Sequence, residues 1–166
     1  MKARPEPEKS LHTVDVQIDE QFQVRIQPEL LHRAASATLI HQRVDGPSEL
    51  AVVVTGDDAL HELNRRHRNV DAPTDVLAFP DETCGPFVAA PGLPRYLGDV
   101  IISFHRADAQ AAEAGHDVQG ELQLLVVHGV LHLLGYDDAT DEQRAQMWTV
   151  QAQILEDLEV QVHLPT

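Results

Sequence analysis

Gly120-Glu121-Leu122-Gln123-Leu124-Leu125-Val126-Val127-His128-Gly129-Val130-Leu131-His132-Leu133-Leu134-Gly135-Tyr136-Asp137-Asp138 is too long an apolar run for one strand, and it carries a helix stop near its end. Up to Leu134 it reads as nearly all of a helix over about Val118 to Leu134. On a helix, His128 and His132 are four residues apart and leave the same face one turn separated, so they can share one metal ion. Gly135 suits a left-handed residue that ends the helix and turns the chain back, which lets Asp138 approach the same ion. Two imidazoles and a carboxylate form a three-ligand set for zinc with a fourth position open to water. A single histidine in so apolar a run is ordinarily a satisfied core residue. The pair, the stop and the acid together favour metal, because two buried imidazoles without partners are costly.

Zinc peptidases of the H-E-x-x-H type share the histidine spacing, but their general base is the glutamate that follows the first histidine. Here that residue is Gly129. An ion at this site would still polarise an oxygen, while proton transfer would fall to another group, so peptide hydrolysis ranks second.

Upstream of this helix the pattern changes to strands. Thr13 to Ile18 and Phe22 to Ile26 alternate apolar and polar residues with the period of half-buried strands. Pro28 opens a first helix whose apolar face is Leu30, Leu31, Ala34, Ala37 and Leu39, closed by Asp45-Gly46-Pro47. Leu50 to Val54 reads as a strand, about Ala59 to Arg66 as a helix, and Thr74 to Phe79 and Leu97 to Ser103 as strands. The last two are separated by a Gly- and Pro-rich surface loop. Helices return over about Arg106 to Ala114 and Gln143 to Leu158, the latter opened by Thr140 and Gln143 as a capping box. This order predicts one α+β domain over residues 11–166, preceded by a flexible lead-in, residues 1–10, rich in Pro and charge.

The chain has 166 residues, 43% of them apolar and 23% charged, the mix of a globular protein rather than a disordered one. Its formal net charge of -15 repels polyanions and by itself argues against nucleic acid. Cys84 is the only cysteine, so no intrachain disulfide is expected, and there is neither a signal-like apolar segment nor one long enough for a bilayer. These features predict a cytoplasmic protein with no membrane partner.

One basic cluster interrupts the acidity. Arg65, Arg66 and Arg68 fall within Leu63-Asn64-Arg65-Arg66-His67-Arg68, a local positive spot suited to phosphate or, equally, a solvated helix end. The segments LNRRHRNVDAPTDVLAFP, LGDVIIS and GELQLLVVHGVLHLLGYDD, in this order and spacing, resemble the YbeY family of bacterial endoribonucleases of ribosomal RNA maturation. The resemblance covers nearly the whole domain. It implies an α+β fold with a small mixed sheet packed by helices, a metal held by the histidine motif, and a functional arginine in the LNxxxR segment that falls on Arg68. The family motif usually reads HGxLHLxGYDH, so its third metal-binding histidine falls here on Asp138, with Asp137 beside it as a substitute. A carboxylate at that position lowers the net charge of the site by one and widens the choice of metal beyond zinc.

The expectation is a single-strand-specific endoribonuclease of small-subunit ribosomal RNA maturation and ribosome quality control, with ribosomal RNA and ribosomal or small-subunit proteins as partners. His128, His132 and Asp138 would hold one divalent ion, zinc first, and Arg68 would bind the scissile phosphate. Its rivals are a metal-dependent amide hydrolase and a non-catalytic ribosome assembly factor with a structural metal. His67, His116, Asp71 and Asp75 qualify as proton acceptors by residue type alone.

Overall fold

The computed structural model describes residues 12–70, 72, 74–81 and 93–162 of the chain. The expected lead-in and most of the Gly- and Pro-rich loop, with Cys84, lie outside the described residues. In β1 (His12–Ile18) the alternation buries Val14 and exposes Thr13, Asp15 and Gln17. β2 (Ser48–Thr55) is buried along most of its length, as its near-continuous Leu-Ala-Val-Val-Val run requires of a central strand. β3 (Val76–Pro80) and β4 (Arg95–Ser103) complete a four-stranded sheet in the order β1-β2-β4-β3. β1 and β2 are parallel, as are β2 and β4, whereas β3 runs antiparallel to β4 at the edge, so the sheet is mixed. Pro80 is tolerated because β3 is an edge strand.

Five α-helices appear among the described residues. α1 (Pro28–His41) starts at its proline and buries Leu31, Ala34, Ala35 and Leu39. α2 (Asp57–Arg68) carries Asp57 and Asp58 in its first turn and ends at Asn69, in the left-handed region at φ 57°. α3 (Phe104–Ala114) and α4 (Val118–Leu133) are capped by Ser103 and Asp117, and α5 (Asp141–Asp157) opens with the expected capping box of Thr140 and Gln143. The main core lies between α1, α4 and one sheet face, where Leu50, Val52, Val54, Val100 and Ile102 are at most 1% exposed. α2 covers the opposite face at the β3–β4 end, with the His67 ring edge-on to Phe79 at 5.0 Å. This is the α+β architecture with a helix-packed mixed sheet that the sequence implied.

The segment from Phe22 to Ile26 departs from expectation. It is not a strand: Glu20–Arg25 forms a 3-10 helix capped by the Asp19 carboxylate, which accepts from Gln21 N. Phe22 and Ile26, four apart, are each 5% exposed, while Val24 between them is 95% exposed. The alternation in sequence therefore does not match the residues that the core takes up. Phe22 stacks on Phe104 of α3 at 4.6 Å, a contact with a distant element that fixes the tight turn.

Candidate metal centre

α4 is buried on most of its circumference, as the apolar run demands, and its remaining strip carries His128 and His132. The helix ends with Gly135 at φ 102°, Gly135 N donating to His132 O and Tyr136 N to Leu131 O. This double bond pattern satisfies the last carbonyls and reverses the chain, which brings the Tyr136 carbonyl and Asp138 back over the histidines. Arg144 of α5 donates to the Asp138 carbonyl at 3.4 Å and pairs with Asp141 at 2.9 Å, tying that loop to the next helix.

The hydrogen bonds assign the imidazole tautomers. His128 Nδ1 lies 3.0 Å from Gln151 Oε1 and His132 Nδ1 lies 2.9 Å from the Tyr136 carbonyl oxygen. Both partners are acceptors, so each Nδ1 carries the proton and each Nε2 presents a lone pair. The two Nε2 atoms face one another at 3.1 Å, and Asp138 Oδ2 is 3.8 Å from that of His132. Two lone pairs pointed at each other beside a carboxylate repel unless a cation lies between them, and this donor set fits a divalent metal. One ligand atom from each of the three residues falls within 4.8 Å of the others. Burial, reinforced by the facing His132, pushes the His128 imidazole below its ordinary pKa despite Gln151 and the Asp138 and Asp75 carboxylates. The ring is thus held in the neutral form that a metal needs. Asp137 serves differently, accepting from Asp138 N at 2.8 Å.

The three candidate ligands line a cavity of about 510 Å³ together with Asp75, the edge strand β3 and Arg68. Arg65 and Arg66 are both engaged by Glu62, at 2.8 and 3.0 Å, and the Arg65 hydrogen bond is the main reason its carboxyl is held below the usual range. Arg68 has no ion-pair partner among the described residues and is exposed at the cavity wall. Asn64, 4% exposed, donates to Ala72 O at 2.8 Å and so pins the chain leaving α2.

A sequence model of the family described as Endoribonuclease YbeY matches residues 11–159. The chain belongs to the YbeY family. A YbeY endoribonuclease of Roseiflexus castenholzii is 51% identical over 124 residues, covering 75% of this chain and 78% of that one. That of Chloroflexus aurantiacus is 48% identical over 147 residues, covering 87% and 94%. The solution structure of TM1509 from Thermotoga maritima has the same fold, with a TM-score of 0.54 at 22% identity over 88% of this chain and 91% of that one.

Of the proton acceptors suggested by residue type, Asp75 lines the same cavity as the three candidate ligands, with Oδ1 accepting from Val76 N at 2.9 Å and Oδ2 from Gln110 at 3.2 Å. His67 packs on Phe79, and His116 pairs with Glu121 at 2.6 Å. Asp71 lies outside the described residues. Gln151 is the contributor that sequence reasoning missed: it is 23 positions from His128, on another helix, and no local spacing links the two. Gly129 is explained by packing. A Cβ there would meet Val100 Cγ1 at 2.4 Å, so α4 lies too close to β4 for the glutamate of a zinc peptidase.

Proposed function

We propose that this protein is a metal-dependent endoribonuclease that cuts single-stranded RNA, with His128, His132 and Asp138 holding one divalent cation, zinc first, and Arg68 binding the scissile phosphate. The observation that carries this reading is the presence of Arg68 on the wall of the cavity lined by the three candidate ligands. Family membership supports the reaction class, since the relatives bear the name Endoribonuclease YbeY.

A cation held there would supply positive charge against the phosphodiester oxygens and acidify a bound water. The protein's own residues do the positioning. Gln151 and the Tyr136 carbonyl hold the imidazole protons on Nδ1 and keep both Nε2 atoms available. Arg68 presents a planar guanidinium to the non-bridging oxygens, where it neutralises the charge that grows as the phosphorus gains a fifth oxygen. The substrate we assign is small-subunit ribosomal RNA during maturation and ribosome quality control in the cytoplasm, with ribosomal proteins as partners. No helix among the described residues is long and apolar enough to cross a membrane.

Cleavage of a single-stranded ribosomal RNA fragment by wild type, His132→Ala and Arg68→Ala, with bound metal quantified in each, tests the reading. Wild type should contain metal and cut. Arg68→Ala should retain the metal and lose about 100-fold in kcat/KM, and His132→Ala should lose both metal and cleavage while staying folded. Equal cleavage by all three proteins would sink the proposal. An amide hydrolase would be indifferent to Arg68→Ala, and a factor with a structural metal would lose its thermal transition in His132→Ala.

A further inference from the structure

A second cavity, of about 480 Å³, adjoins the metal site and shares two wall residues with it, Asp75 and His128. Leu124 and Leu125 of α4 and Trp148 of α5 give it apolar and aromatic walls, and its volume is that of a small-molecule site. Its charged lining is acidic: Glu113 at the end of α3, Asp75, and Glu121, whose carboxylate is buried against His116. Such a lining rejects phosphate, so the cavity does not extend the anion site at Arg68. It suits a flat, uncharged group with hydrogen-bond donors on its edge.

We infer that this cavity receives one unstacked nucleobase of the RNA strand next to the phosphate bound at Arg68, and that it takes an amino-bearing base in preference to uracil. The inference rests on the endoribonuclease reading above. The continuous wall through Asp75 and His128 puts the two cavities within reach of one strand. Trp148 supplies an aromatic surface of the kind on which single-stranded bases stack. Glu113 has no hydrogen-bond partner among the described residues and is exposed at the rim, where its carboxylate can only accept. Asp75 likewise offers acceptors alone, already drawing in the Gln110 amide at 3.2 Å. The exocyclic amine of cytosine, adenine or guanine meets that demand, whereas uracil presents a single N–H between two carbonyls that the carboxylates repel. A base in a duplex is stacked and has its edge occupied, so this cavity itself selects single strands.

Trp148 is the chain's only tryptophan, so its fluorescence reports this cavity directly, without phosphate, metal or cleavage. Cytidine should quench it saturably, and uridine should need about tenfold higher concentration. Ala114→Phe, an exposed residue on the cavity wall at the end of α3, should leave only linear collisional quenching. The same variant should raise KM for a single-stranded oligoribonucleotide about tenfold with little change in kcat. Linear quenching of wild type, equal response to cytidine and uridine, or an unchanged response in Ala114→Phe would overturn the inference even if the RNA is cut. Saturable cytidine binding by a protein that cuts no RNA would instead overturn the endoribonuclease reading and leave a nucleoside site.

Discussion

His128 and His132 are useful to a metal only because their protons sit on the far nitrogen. At His128 that arrangement depends on one buried amide, Gln151, which is 1% exposed. Replacing it by leucine keeps the volume and removes the acceptor, so the ring is free to rotate or to adopt the other tautomer. Gln151→Leu is therefore expected to fold normally and to bind its metal about 10- to 100-fold more weakly, as measured by competition with a chromophoric chelator. Unchanged affinity would mean that the Gln151 contact does not orient the ligand. At Asp138 the carboxylate is 47% exposed and its loop is held from outside by Arg144, so this third candidate ligand is the least enclosed of the set.

The seam between α4 and β4 has no room for a side chain at position 129. A Cβ at Gly129 would fall 2.4 Å from Val100 Cγ1 and 3.1 Å from Cγ2, and Val100 is completely buried. Gly129→Ala should therefore destabilise the protein by about 1–3 kcal/mol, despite the better helix propensity of alanine. Val100→Ala in the same chain should recover part of that loss, because the two changes share one contact. Urea midpoints of the two single variants and the double variant test the coupling; strict additivity would place the strain elsewhere. Since His128 precedes Gly129, any outward shift of α4 also moves a candidate ligand. This seam thus links the core to the candidate metal site.

A protein with a formal net charge of -15 that acts on RNA has to concentrate its few cations. The basic end of α2 is smaller than its sequence implies, because Glu62 engages both Arg65 and Arg66 and leaves Arg68 to face the cavity. Binding to isolated single-stranded RNA should therefore be weak, with a shallow salt dependence. The slope of log affinity against log salt should be about -2 or less steep, and Arg68→Ala should reduce it by about 0.7. Glu62→Gln should release Arg66 and tighten RNA binding by about two- to fivefold at low salt. Filter binding over a salt series checks both, and a Glu62→Gln protein with wild-type affinity would show that Arg66 lies off the path of the RNA.

Features that depend on near neighbours along the chain were legible before folding. The His128–His132 pair, the Gly135 stop that returns Asp138, the Pro28 start and the Thr140–Gln143 capping box are all set by bonds and side-chain spacings within a few residues, so their patterns survive without the fold. The rest came from packing, because it depends on groups that meet only in the folded chain. Phe22 was taken out of a strand-like alternation by Phe104 of α3, a ring far along the chain. The acceptor that fixes His128 came from α5, and the glycine that displaced a peptidase base was required by a valine of β4. Arg68 stood out from three arginines only once Glu62 had engaged the other two, since the choice among equal charges is made by distance and not by composition.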